Sequence, residues 1–185
     1  MKTALILIDI QNDYFENGAM RLVGSEKACE NAKLILDRFR KDAMPVIYIK
    51  HIANKPNATF FLPNTMGVEI HKEIMPLAQE KVIIKHSPNS FKDTELLEYL
   101  NSLNITDIVV CGMMTHMCVD ATTRAAKDYG FNCTLISDAC ATKDLEINGH
   151  LVKAEYVQNS FLAALNYFYS TVITTNQYLN QNIID

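Results

Sequence analysis

The chain has 185 residues, 49% hydrophobic and 21% charged, with a formal net charge of −4; these values suit one globular domain with a sizeable core, assigned here to residues 1–185. The acidic balance provides no basic field, which argues against nucleic acid and anionic membrane as partners. No apolar run approaches the ~20 residues of a membrane span, the N-terminus has no signal-peptide pattern, and the five scattered cysteines (29, 111, 118, 133 and 140) read as free thiols of a reducing cytoplasm.

Residues Ala4 to Ile8 (Ala-Leu-Ile-Leu-Ile) are uninterrupted apolar and predict a first strand, about 4–9, covered on both faces. A helix is expected at 26–41, where Ala28, Ala32, Ile35, Leu36 and Phe39 form a helical stripe. Strands follow at 45–51 and 82–85. Between them, Ile52 to Glu80 shows no long periodic segment but holds Pro56, Pro63, Pro76, Gly67 and the pair Phe60-Phe61. A loop of that length inside a compact domain is usually functional, and its aromatics read either as core or as a lid or wall over a crevice.

The next helix is expected at 94–103, with Thr94 as N-cap and Leu96, Leu97, Leu100 and Leu103 facing inward. A strand at 107–111 ends at Gly112, and a helix follows over 117–129. The series closes with a strand at 132–137, a helix at 150–168 and a strand at 171–175. Asn176 to Asp185 is polar and reads as fraying or packing on a neighbour. The alternation predicts a three-layer α/β/α Rossmann-like fold around a six-stranded, mainly parallel sheet, order 3-2-1-4-5-6, with right-handed crossovers.

Three reactive side chains fall at the C-terminal ends of predicted strands, where open α/β sheets bind ligands. Asp9 ends the first apolar run, and a carboxylate there is costly to bury without a partner. Lys85 ends Val82-Ile83-Ile84. Cys118 falls in the first turn of the helix after Gly112, where unpaired N–H groups and the helix dipole favour a thiolate. A small buried core cysteine is the plainer reading of Cys118 alone, and a solvated strand end is the plainer reading of either charge. The three together form a constellation.

Asp9 within Leu7-Ile-Asp-Ile-Gln-Asn-Asp-Tyr14, Lys85 followed by Phe91, and Gly112 through Val119 resemble the isochorismatase-like cysteine hydrolases, a family that includes nicotinamidases and N-carbamoylsarcosine amidohydrolases. The resemblance runs from about residue 3 to 175. It implies a cofactor-free cysteine hydrolase that cleaves a C–N bond of a small amide, lactam or carbamoyl compound through a thioester. Cys118 would be the nucleophile, with its pKa lowered by Lys85 and the helix start. Asp9 would be the proton carrier, and Lys85 would hold it in place. In the order 3-2-1-4-5-6, Lys85 must reach across roughly 9–10 Å to meet Asp9. The resemblance further implies a cis peptide between Met113 and Met114 and an oxyanion hole made by the amides of Met114 and Cys118. Tyr14 takes the place of a substrate-flanking aromatic, and Asn12, Phe61, Phe91 and His116 are further pocket candidates.

The chain departs from nicotinamidases where those carry an Asp-x-His metal motif, since His51 and Ala53 occupy the matching positions. No metal is therefore expected, and His71 and His116 read as structural or pocket-lining. An isochorismatase-type vinyl ether hydrolase, a catalytically idle oligomeric binding protein and a redox thiol protein are the rival readings. A homo-oligomer, at least a dimer, is expected, because the 150–168 helix and the residue after it carry Tyr156, Phe161, Leu162, Leu165, Tyr167, Phe168 and Tyr169, more apolar surface than one sheet face covers.

Overall fold

Strand β1 (Thr3–Ile8) lies at the centre of the molecule, and Leu5, Ile6, Leu7 and Ile8 are shielded from solvent on both faces. The computed structural model describes residues 2–180. Around β1 run β2 (Val46–His51), β3 (Lys81–Lys85), β4 (Asp107–Met113), β5 (Asn132–Ala141) and the short β8 (Thr171–Ile173). They form one sheet, β3-β2-β1-β4-β5-β8, in which every pairing is parallel. This is the expected order, with β8 as its sixth strand.

Alternate residues of the strands feed two separate cores. On one face, Leu5, Leu7 and Tyr48 pack against Ala32, Ile35, Leu36 and Phe39 of helix α1 (Ser25–Lys41). On the other, Ala4, Ile6, Ile8 and Ile83 meet Leu96 and Leu100 of α2 (Leu96–Ser102), Ala126 of α3 (Asp120–Asp128) and Leu165 of α4 (Ala154–Phe168). Each fully buried aliphatic side chain contributes about 1.5–3 kcal/mol, so the two-sided core explains the uninterrupted apolar run of β1. Helix α2 starts at Leu96 rather than 94 and its N-cap position is Glu95, not the expected Thr94, whose Oγ1 accepts the Leu96 N–H at 3.3 Å from one residue further back.

Other elements also differ from expectation: β4 continues through Gly112 to Met113, and β5 runs to Ala141 rather than 137. Helix α4 begins at Ala154 rather than 150, because Leu145–Ile147 (β6) and His150–Val152 (β7) pair as an antiparallel hairpin. The Asp144 carboxylate then accepts the Ala154 N–H at 2.7 Å, which fixes the helix start. The polar tail forms α5 (Thr175–Asn180), and Tyr178 stacks on Phe39 with ring centroids 6.2 Å apart; the expectation for 181–185 falls outside the described residues. Segment 52–80 is irregular except for a 3-10 turn at Lys72–Ile74 and an antiparallel bridge from Ile70 to Gln11. Among the described residues no helix is long and apolar enough to cross a membrane.

Candidate active site

The C-terminal ends of β1, β2, β3 and β4 meet at one crevice. Asp9 follows β1 directly, takes a left-handed φ of 51° and donates its N–H to the Ile49 carbonyl at 3.0 Å. Aspartate is one of the few residues that tolerates this conformation, and it turns the chain away as the strand ends. The carboxylate is fully buried.

Lys85 ends β3, two strands away, and is 1% exposed. Its stem spans the gap. Nζ lies 2.7 Å from Asp9 Oδ2, donates to the Ser87 carbonyl at 3.0 Å and lies 3.1 Å from His51 Nδ1. Burial opposes the lysine's charge, but Asp9 and Cys118 outweigh it and raise the ammonium's pKa. Neither carboxylate oxygen makes a hydrogen bond of ordinary geometry, so Asp9 keeps acceptor capacity for a further proton.

Cys118 sits in a π-helical turn, Thr115–Val119, between β4 and α3, rather than in a regular α-helical turn. Gly112 brings the turn close to β1: its φ is +143°, and a Cβ there would lie 2.2 Å from the Ile8 carbonyl oxygen. The Met113–Met114 peptide is cis. A carboxylate oxygen of Asp9, a ring nitrogen of His51 and Sγ of Cys118 lie within 4.8 Å of one another.

The expected thiolate is not what this environment favours. Burial pushes the Cys118 thiol well up, Asp9 adds to the rise and Lys85 only partly opposes it. The ammonium is already neutralised by the carboxylate, so the sulfur sees almost no net positive field. Burial and Asp9 together favour the thiol over the thiolate.

A cavity of about 310 Å³ borders the crevice, lined by His51, Asn54, Lys55, Phe60, His86 and Met117 among others. That volume suits a small ligand. A larger cavity of about 400 Å³ lies at the other end of β2, among Arg40, Pro45 and Tyr99, and contains none of the three reactive groups.

The five residues expected in the pocket do not line this cavity. Phe61 is buried, tilted against Tyr14 with centroids 4.7 Å apart, and its neighbour Phe60 supplies the wall instead. Tyr14 lies under that wall near Cys118 and Asp9, and burial first, then those two groups, raise its phenol pKa well above the usual range. Asn12 donates to the Met66 carbonyl at 2.9 Å. Phe91 packs on Tyr129 and Phe131 in the second core. His116 Nδ1 pairs with Thr142 Oγ1 at 2.6 Å and its ring meets the edge of Phe161. His71 stacks on Phe15 at 3.9 Å, away from the crevice.

Two buried polar residues that the sequence reading passed over build the crevice wall. The Gln11 amide donates to the carbonyls of His51 and Val68 at 2.8 and 2.7 Å and accepts the His51 N–H at 2.7 Å. Asp13 accepts the N–H groups of Phe61 and Ala19 at 2.6 and 3.2 Å. They lie two and four residues after Asp9 in a stretch otherwise bound for the core, and a buried polar residue needs partners.

His51 is not isolated, as its sequence surroundings suggest. Carboxylate, imidazole and thiol are ligand types that zinc accepts, yet Lys85 touches both Asp9 and His51 Nδ1. A divalent ion there would face a buried positive charge. Ala53, at the second metal position of nicotinamidases, offers no donor side chain. The residues present do not fit a metal.

Comparison with known proteins agrees with this architecture. The isochorismatase family protein YddQ of Bacillus subtilis is 51% identical over 179 residues, covering 97% of this chain and 99% of the relative. The crystal structure of an isochorismatase from Pseudomonas putida KT2440 is 35% identical with a TM-score of 0.89, covering 95% of this chain and 89% of that one. Nicotinamidase 3 of Arabidopsis thaliana is 27% identical over 157 residues, covering 78% of this chain and 76% of the relative. The Isochorismatase domain matches residues 3–177, and with this fold and this coverage the chain belongs to the isochorismatase family of hydrolases.

Proposed function

We propose that this hydrolase is a cysteine amidohydrolase that cleaves a C–N bond of a small amide, lactam or carbamoyl compound. The observation that carries the reading is the fully buried Asp9–Lys85 ion pair at 2.7 Å, with Cys118 beside it at a crevice. The name of the related nicotinamidase supports amide chemistry. Asp9 takes the thiol proton as Cys118 Sγ bonds to the carbonyl carbon and the C=O π pair moves to oxygen. The amides of Met114 and Cys118 would receive that oxyanion. When the C–N bond breaks, Asp9 returns the proton to the leaving nitrogen. Water then attacks the thioester, giving its proton to Asp9 as the C–S bond breaks, and the sulfur regains a proton.

The competing vinyl ether chemistry has no use for the sulfur. A panel of small amides, with ammonia or amine release as readout, should yield substrates, and Cys118→Ala should abolish their turnover. That substitution leaves little cavity, so stability should change by no more than about 1–2 kcal/mol. Turnover above about a hundredth of the native rate would remove Cys118 from the mechanism.

The resting thiol has a distinct consequence. Its pKa is raised, so the reactive thiolate appears only as pH climbs above the ordinary thiol range, and iodoacetamide should label Cys118 slowly at pH 7. Asp9→Asn removes the negative neighbour and leaves Lys85 to favour the sulfur anion. Labelling at pH 7 should then rise about ten-fold or more while amide turnover disappears. A labelling rate that stays level or falls in Asp9→Asn would show that Asp9 does not hold the sulfur protonated.

Because the Lys85 ammonium lies against both Asp9 and His51 Nδ1, prolonged chelation should leave amide turnover unchanged. Activity lost with chelator and restored by zinc, iron or manganese would instead favour a metal-dependent nicotinamidase.

We also propose self-association through the α4 side. Ile147, Leu151, Tyr156, Tyr167 and Phe168 are each more than half exposed there, and such a concentration of apolar surface is unusual without a partner. Light scattering should give at least twice the 20.9 kDa of one chain; a single-chain mass across micromolar concentrations would refute it.

A further inference from the structure

His51 ends β2 between the other two charged strand ends, directly opposite Lys85 in the strand register. Its Nδ1 lies 3.1 Å from Lys85 Nζ. An ammonium has donors only, so Nδ1 is the acceptor and the neutral ring carries its proton on Nε2. Burial lowers the imidazole pKa to about 4, with Asp9 opposing and Lys85 reinforcing the shift, so this tautomer holds through neutral pH. Among the described residues Nε2 has no hydrogen-bond partner, and it is absent from the buried polar atoms left without one. It is therefore open, and the ring lines the 310 Å³ cavity. The backbone of His51 is clamped on both its N–H and its carbonyl by Gln11, so the ring cannot drift with the loop that follows it.

We propose that His51 presents its Nε2–H to the substrate and selects amides that carry a second hydrogen-bond acceptor beside the scissile carbonyl. This rests on the reading of Cys118 and its cavity as the reacting site. The rest of the lining narrows the class. It contains no carboxylate, and Lys55 is its one permanent charge, so a cationic substrate meets no counter-charge. A neutral compact amide with a ring nitrogen or second carbonyl fits. A substrate without the acceptor covers the imidazole N–H and leaves it unpaired, which costs affinity.

Two measurements test this without turnover. In protein labelled with 15N-histidine, the His51 ring should show the Nε2–H tautomer at pH 7 and protonate only near pH 4. The inactive Cys118→Ala protein should then be titrated with benzamide and with picolinamide, nicotinamide and isonicotinamide, which place one ring nitrogen at three positions. At least one pyridine amide should bind about five-fold tighter than benzamide, the order expected for one neutral hydrogen bond. The preference should vanish in the double variant carrying His51→Phe, with His51→Leu in its place should the larger ring fail to pack. An Nδ1–H tautomer, protonation in the ordinary histidine range, equal affinities for all four amides, no binding to about 10 mM, or a preference that survives loss of His51 would each overturn the proposal. Failure of the amidohydrolase reading would show separately, as turnover by Cys118→Ala.

Discussion

The contact between Asp9 and Lys85 organises this end of the molecule. Each charge loses several kcal/mol of hydration on burial, and their attraction repays this only when the geometry is good and the remaining donors are satisfied. The lysine's side is well satisfied, with Asp9, His51 Nδ1 and the Ser87 carbonyl all within 3.1 Å of Nζ, whereas the Asp9 oxygens keep unused acceptor capacity. The lysine stem has to pass the end of β2 to reach Asp9, so the pair depends on the ends of β1, β2 and β3 lying level. Removing one partner would strand the other at a cost of about 3–5 kcal/mol, whereas a well-packed apolar pair could replace both without loss. Stability alone therefore gives no reason for the pair, and its place at a crevice beside a thiol gives a chemical one.

The pair also decides the state of the sulfur. An isolated ammonium near Cys118 would pull the thiol toward its anion, and so would a helix start. A carboxylate against that ammonium cancels most of the field, and burial then favours the neutral form. The site thus favours a neutral thiol beside a carboxylate with spare acceptor capacity.

The fold was largely legible because parallel strands buried on both faces leave long apolar runs, and because strand ends are marked by abrupt charges such as Asp9 and Lys85. The convergence of Asp9, Lys85 and Cys118 on one crevice was legible for the same reason. The β6–β7 hairpin had a signal, Asn148-Gly149 between Ile147 and His150, a pair suited to the left-handed turn it makes; the helical pattern that follows masked it. The pocket was not legible. Phe60 and Phe61 are adjacent yet serve opposite purposes, one lining the cavity and one filling the core, and no periodicity separates them in an irregular loop. Phe91 is as apolar in a core as in a pocket. Gln11 and Asp13 find partners roughly fifty residues away, beyond the reach of any local pattern.

Those two residues connect the reacting groups to the pocket wall. Asp9, Gln11 and Asp13 alternate along five residues: the first faces the sulfur, and the other two hold segment 52–80 through His51, Phe61 and Val68. Gly67 passes so close to Asp13 that a Cβ would lie 2.1 Å from its carboxylate oxygen, so the clasp admits no side chain there. Between the anchors at His51 and Phe61, residues 54–57 project into solvent and the cavity mouth. Their side chains can be exchanged without disturbing the charge pair or the clasp. The scaffold thus separates a fixed rim, which holds His51 and Cys118 in register, from a short exposed arc at the cavity mouth.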